Sequence, residues 1–303
     1  MSVIVDQLTK VYGSQIAVNQ ISFKAEPGKI VGFLGPNGAG KSTSMKMITG
    51  FIPPSSGTAK VCGFDITSQS MDVRKCIGYL PENNPLYLDM YVKEFLSFIA
   101  GLQHLENPII RIKEMIEQTG LEREQFKKIS QLSKGYRQRV GIAQAMLHDP
   151  KVLILDEPTT GLDPNQLVEI RKLIKQLGKE KTVILSTHIM QEVEAVCDQV
   201  VIINKGVIVA NDETKNLQVT ALKQVSYIVE FDQNVPQNNI LKIPGVVAAQ
   251  ALTDKSWVLQ TNVQLDVRKN IFDFAVQNNL VLLSIQKEEE KLEDIFRKLT
   301  SNK

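Results

Sequence analysis

The segment Gly35–Ser42 reads GPNGAGKS and matches the pattern G-x-x-x-x-G-K-S/T at every fixed position. It follows the continuous apolar run Ile30–Leu34, which reads as a strand buried on both faces, and leads into a helical run over Thr43–Thr49. Glycines in such a loop let the backbone wrap closely, with N–H groups turned inward on a β-phosphate. The helix that follows directs its positive end at the same place. Lys41 can reach the β- and γ-phosphates, and the Ser42 hydroxyl suits Mg²⁺. A strand, a phosphate loop and a helix in that order commit the chain to an α/β fold on a parallel sheet. The motif implies binding of a nucleoside triphosphate and leaves the reaction unnamed.

A second motif narrows the chemistry. Lys151–Pro158 reads KVLILDEP, an apolar strand that delivers Asp156 and Glu157 to its carboxyl end. One carboxylate can hold Mg²⁺ through water and the other can polarise an attacking water. Downstream of a phosphate loop, this pair points to hydrolysis.

The rest of the chain sets the frame. Its 303 residues suffice for one large domain and one small one. With 43% hydrophobic and 22% charged residues it has the balance of a globular protein with a sizeable core. The net charge is +2, and basic residues are interspersed with acidic ones, so direct nucleic-acid binding is not expected. Cys62, Cys76 and Cys197 have no metal-ligand spacing and read as reduced, small apolar side chains of a cytosolic protein. The start, MSVIVDQLTKVYG, has no secretory pattern, and no apolar run approaches the roughly 20 residues of a membrane helix. Work at a membrane would therefore need another protein to hold this one there.

Strands are expected up to about Glu26, then at Val152–Leu155 and Thr182–Leu185, with helices over Tyr91–His104 and Pro108–Thr119. Near Leu217 the texture changes. Ser226–Phe231, Gly245–Leu252, Trp257–Gln260 and Leu280–Ile285 read as strands, with a helix from Asp266 to Gln277 and a final helix, Lys291–Leu299, after the charged run KEEEK. The expected division is residues 1–217 and an α+β accessory domain of ferredoxin-like topology over 218–303. The latter holds no histidine or cysteine and no catalytic constellation.

Three further segments carry a resemblance. Leu132–Arg139 reads LSKGYRQR and opens a helix through Gly141–Leu147, Gly161–Pro164 reads GLDP, and Ser186–His188 reads STH after a strand. Together with the phosphate loop and LILDEP, in this order, they closely resemble the nucleotide-binding domain of ABC transporters over roughly residues 2 to 217. The resemblance implies a P-loop NTPase fold: a RecA-like parallel sheet with an antiparallel β subdomain and a helical subdomain.

It also implies roles. Tyr12 matches the aromatic that stacks on adenine. Gly35, Pro36, Asn37, Gly38, Ala39, Gly40, Lys41, Ser42 and Thr43 match the phosphate loop. Asp156 matches the Mg²⁺-side acid, Glu157 the general base, and His188 the switch histidine at the γ-phosphate. Asp163 matches the loop that crosses to a partner subunit. In this family the LSKGYRQR segment serves the opposite subunit, so that Ser133 and the backbone at Gly135 meet the γ-phosphate of the other copy's ATP. A single chain would bind ATP yet hydrolyse it poorly.

Two positions depart from the family pattern. Lys134 and Tyr136 replace a glycine and a glutamine of the usual LSGGQ, and the added lysine could assist electrostatically near triphosphate. Glu82, in YLPENNPLY, stands where a glutamine is common, so the metal ligand there would be charged. YLPENNPLY and the ending KLEDIFRKLT resemble the ATPase subunit of the gliding-motility ABC transporter.

The resemblance thus implies an ATPase using ATP and Mg²⁺ and working as a dimer of ATPase subunits, a homodimer on the simplest reading. An integral membrane permease on the cytoplasmic face would be the other partner, with export as the direction. Exposed apolar residues among Pro85–Phe98 are the expected permease contact. A soluble relative acting on ribosomes or nucleic acid usually has two such domains or a long coiled coil, and neither is present. A kinase or GTPase has no use for LSKGYRQR, and the guanine-reading N-K-x-D is absent.

Overall fold

The computed structural model describes residues 2–216, 224–262 and 266–288. The final helix expected at Lys291–Leu299, the end of the KEEEK run and the boundary residue Leu217 lie outside them. The chain divides after Thr214 into two compact units.

The first unit begins as an antiparallel sheet. Strands β1 (Val3–Tyr12) and β2 (Gln15–Ala25) pair, and β4 (Ser56–Val61) and β5 (Phe64–Asp65) complete the order β2-β1-β4-β5. Apolar residues alternate along β1 and β2 with exposed polar ones, so one face is buried.

A six-stranded sheet carries the phosphate loop. Its order is β10-β9-β3-β8-β7-β6, with β3 at Ile30–Leu34, β6 at Ile77–Leu80, β7 at Val152–Asp156, β8 at Thr182–Thr187, β9 at Gln199–Asn204 and β10 at Val207–Glu213. All pairings are parallel except that of the edge strand β10 with β9. Every residue of β3, β7 and β8 is buried, which accounts for their unbroken apolar runs. The cores of the two sheets are continuous, with Phe23 of β2 and Phe33 of β3 at a centroid distance of 5.4 Å.

Among the described residues, seven α-helices decorate this unit: α1 (Lys41–Ile48), α2 (Ser70–Cys76), α3 (Val92–Leu102), α4 (Pro108–Thr119), α5 (Lys134–Met146), α6 (Pro164–Leu177) and α7 (Met190–Val196). Their ends follow local chemistry. The Glu94 carboxylate accepts from the Tyr91 backbone N–H at 3.1 Å, which satisfies the N-cap donor where α3 starts at Val92. Pro108 opens α4, and Gly120, at φ 66°, closes it. The Ser133 side chain caps α5 and the Asp163 side chain caps α6. Helix α3 therefore stops short of the expected His104, which adopts a left-handed turn conformation at φ 51°.

The second unit is a four-stranded antiparallel sheet of β11 (Gln224–Phe231), β12 (Val246–Ala251), β13 (Ser256–Asn262) and β14 (Leu282–Glu288), in the order β12-β13-β11-β14. Helices α8 (Gln237–Ile240) and α9 (Arg268–Gln277) follow the first and third strands. This is the split β-α-β connectivity of a ferredoxin-like fold. Its own core gathers Tyr227, Phe231, Trp257, Leu259 and Ile271.

Candidate nucleotide site

The phosphate loop sits between the carboxyl end of β3 and the start of α1. Gly38 and Gly40 take φ values of 78° and 105°. At Gly40 a Cβ would lie 2.6 Å from the Ala17 carbonyl oxygen, and at Gly35 it would collide with the Ile203 carbonyl, so glycine is required at both positions. Lys41 Nζ donates to the carbonyls of Gly35 at 2.8 Å and Pro36 at 3.2 Å, and it pairs with Glu157 Oε1 at 3.3 Å. That ion pair is nearly sealed, with side-chain exposures of 6% and 7%.

Three adjacent strands of the parallel sheet deliver the polar centre. Ser42 Oγ donates to Asp156 Oδ1 at 3.1 Å. Ser186, at the end of β8, donates its hydroxyl to that same Asp156 oxygen and accepts from the Glu157 backbone N–H at 3.0 Å. Glu157 turns sharply out of β7 at φ 50°. Its Oε2 accepts from Thr160 Oγ1 at 3.0 Å and lies 2.9 Å from His188 Nδ1. Lys41, Ser42, Asp156, Glu157 and His188 are thus one connected cluster.

The cluster opens into a cleft of about 710 Å³ lined by Asn37, Gly38, Thr43, Glu82, Glu157 and Lys205. Tyr12 is at its mouth, 49% exposed, with Lys10 Nζ 5.2 Å from its ring centroid. A hydroxyl beside a carboxylate offers hard oxygen ligands, and magnesium commonly uses one or two such groups plus phosphate oxygens. The donor set of Ser42 and Asp156 therefore fits that ion, with Glu82 on the cleft wall.

Ser133 and Gly135 stand apart from this cluster. They open α5 and do not line the cleft, and Ser133 is exposed to solvent. Lys134 does not point into the cleft either, since its Nζ lies against Gly161 of the GLDP segment.

Comparison with known proteins decides the family. Residues 18–160 match the family model described as ABC transporter. The uncharacterized ABC transporter ATP-binding protein YxlF of Bacillus subtilis (strain 168) is 33% identical over 297 residues, spanning 97% of this chain and 98% of that one. This chain belongs to the ABC transporter ATP-binding proteins. The bacitracin transport ATP-binding protein BcrA of Bacillus licheniformis is 34% identical over 96% of this chain and 95% of its own length. A solved ATP-binding subunit of an ABC transporter superposes with a TM-score of 0.65 at 28% identity, covering 73% of this chain and 93% of that one.

This ABC transporter ATPase also uses residues to which the sequence assigned no role. Ser186 joins both acids yet appears only as the first letter of STH. Asn84, in the YLPENN loop, donates to the Arg137 carbonyl at 3.0 Å and ties that loop to α5. A Cβ at Gly141 would collide with Asn84, which gives the glycine of the RQRVG run its reason. Among the described residues, no helix of the ABC ATPase is long and apolar enough to cross a membrane.

Proposed function

We propose that two copies of this ATPase close on ATP, each nucleotide held between one copy's phosphate loop and the other's Ser133 and Gly135. The observation that carries the reading is the half-built site. The loop, the acids and His188 converge on one cleft, while Ser133 and Gly135 at the α5 N-terminus do not line it, and the positive end of that helix, with exposed Ser133 as its cap, is suited to an anion.

Within the closed site, Tyr12 would stack on adenine, and the loop amides with Lys41 would hold the phosphates. Ser42 and Asp156, with Glu82 nearby, would hold Mg²⁺, which when bound neutralises charge on the β- and γ-phosphate oxygens. Glu157 would take a proton from the attacking water, with His188 keeping the carboxylate oriented and facing the γ-phosphate. For this, Glu157 exchanges part of its contact with Lys41 as the lysine turns to phosphate.

The stroke would be passed to a separate integral membrane permease on the cytoplasmic face. Tyr87, Leu88, Tyr91 and Phe98 are exposed along the start of α3 and the loop before it, while Val92, Phe95 and Leu96 face the core. An exposed apolar strip beside a loop tied to α5 by Asn84 is suited to receive a membrane partner and relay its movement to the signature. The second unit, residues 218–303 on the sequence boundary, serves as an accessory domain without catalysis of its own. Export is the direction we infer, supported by the whole-length similarity to a bacitracin transport protein. That similarity spans far more of the chain than the short gliding-motility resemblance, so drug-like or peptide loads take precedence.

The test is to express the tagged Glu157→Gln variant in the native host, add ATP, solubilise the membranes gently and identify what co-purifies. A multi-helix membrane protein carrying two ATPase copies supports the reading. Recovery in the soluble fraction with ribosomes, nucleic acid or nothing overturns it.

A further inference from the structure

The signature serine is held from behind by a residue that belongs to none of the motifs. Gln166, in the first turn of α6, donates from Nε2 to Ser133 Oγ at 3.1 Å. The same oxygen accepts from the Tyr136 backbone N–H at 3.4 Å as the cap of α5. A hydroxyl has two acceptor lone pairs and one proton. Both contacts that Ser133 Oγ makes among the described residues are as acceptor, which leaves the proton to be donated outward.

The support behind this contact is rigid. The Asp163 carboxylate accepts from the Gln166 backbone N–H at 2.9 Å, so the aspartate of GLDP fixes the backbone of the residue whose side chain fixes the signature serine. Gly135 provides the space, because a Cβ there would lie 2.7 Å from Gln166 Cδ. Lys134 crosses the same gap to Gly161. Helices α5 and α6 are joined again one turn further on, where Arg139 pairs with Glu169 at 2.5 Å.

We propose that Gln166 is a positioning residue for ATP-driven closure: by donating to Ser133 Oγ, it commits the serine proton to a phosphate oxygen of the nucleotide in the partner copy. This rests on the reading of Ser133 as a phosphate contact. A serine free to turn its proton toward a neighbouring acceptor would meet the anion with a lone pair, which repels it. Because Asp163 anchors Gln166, a shift of GLDP at the interface between copies would reach the signature through one side chain.

The test compares Gln166→Glu, Gln166→Leu and Ser133→Ala in the full-length chain with its membrane partner. The carboxylate of Gln166→Glu has nearly the same shape as the amide but only accepts, so it draws the serine proton inward. Gln166→Leu removes the contact and leaves the hydroxyl to rotate. Gln166→Glu is expected to raise the ATP concentration for half-maximal turnover by about ten-fold or more, as for loss of a hydrogen bond to a charged group. Gln166→Leu is expected to raise it less, with both melting near the wild-type temperature. The defect of Gln166→Glu should persist in high salt, which would relieve simple charge repulsion. Equal effects of the two variants, a larger effect of leucine, or loss of the glutamate defect in salt overturns the proposal. If Ser133→Ala leaves the ATP dependence at the wild-type value, the phosphate role of Ser133 is itself wrong and the proposal falls with it. If only Ser133→Ala shifts that dependence, the serine reading stands and the role of Gln166 is refuted.

Discussion

Lys41 Nζ and Glu157 Oε1 lie 3.3 Å apart, with both side chains more than nine-tenths buried. Removing one member of such a pair leaves an uncompensated buried charge, which typically costs about 3–5 kcal/mol. Lys41→Ala is therefore expected to lose both tight ATP binding and stability, read by nucleotide titration and denaturant unfolding. Full ATPase activity in that variant would remove the phosphate-loop assignment. Glu157→Gln should bind ATP and turn it over about 10²–10⁴-fold more slowly, the usual contribution of a general base. Normal turnover there would mean another group activates the water.

Ser186 bridges the two acids, giving its hydroxyl proton to Asp156 and accepting from the Glu157 N–H. Ser186→Ala should leave the Glu157 N–H with only its backbone partner, the Ser186 carbonyl at 3.2 Å. A kcat lower by about ten-fold is expected, with stability reduced by about 0.5–1.5 kcal/mol for the lost hydrogen bonding, since Asp156 keeps its bond from Ser42 and the Glu157 N–H its carbonyl. Steady-state kinetics beside a melting curve checks this, and an unchanged kcat would reduce Ser186 to a packing residue.

His148 supplies a pH dependence. Burial holds its pKa below the usual histidine value, opposed by the bond from the ring to the Ile77 carbonyl at 3.0 Å. The unfolded chain therefore binds the proton more readily than the folded one, and stability falls as pH drops below about 6.5. The melting temperature should decline on going from neutral pH into that range, and His148→Gln should flatten the decline. A slope unaffected by that substitution would assign the acid sensitivity elsewhere.

The second unit has a built-in reporter. Trp257, the single tryptophan, is buried there with Phe231, which is fully enclosed. Phe231→Ala should lower the stability of that unit by about 3–5 kcal/mol, followed by Trp257 fluorescence. ATP binding by the first unit should be retained, and its loss would show that the cleft depends on the second core.

Much of this was legible because the decisive chemistry is local in sequence. The loop glycines, the acids at the end of β7 and the buried strands announce themselves through residue type and period. Contacts between distant segments do not. Ser133 and Gln166 are 33 residues apart, and Asn84 and Arg137 are 53 apart, so no periodicity links them. Helix α8, Gln237–Ile240, is too short to show a helical repeat, whereas the strands on either side, expected at Ser226–Phe231 and Gly245–Leu252, lie at Gln224–Phe231 and Val246–Ala251. Lys134 reads from the sequence only as an added charge in the signature, and its placement against Gly161 comes from the fold.

The separation of Ser133 from its own chain's cleft has a kinetic consequence. If the second wall of each site comes from another copy, hydrolysis by free subunits is second order in protein, slow when dilute and rising with the square of concentration. Two copies tethered beneath one permease would replace that encounter with a fixed local concentration. The reaction would become first order only where there is something to move, and idle subunits in solution would leave the cell's ATP untouched.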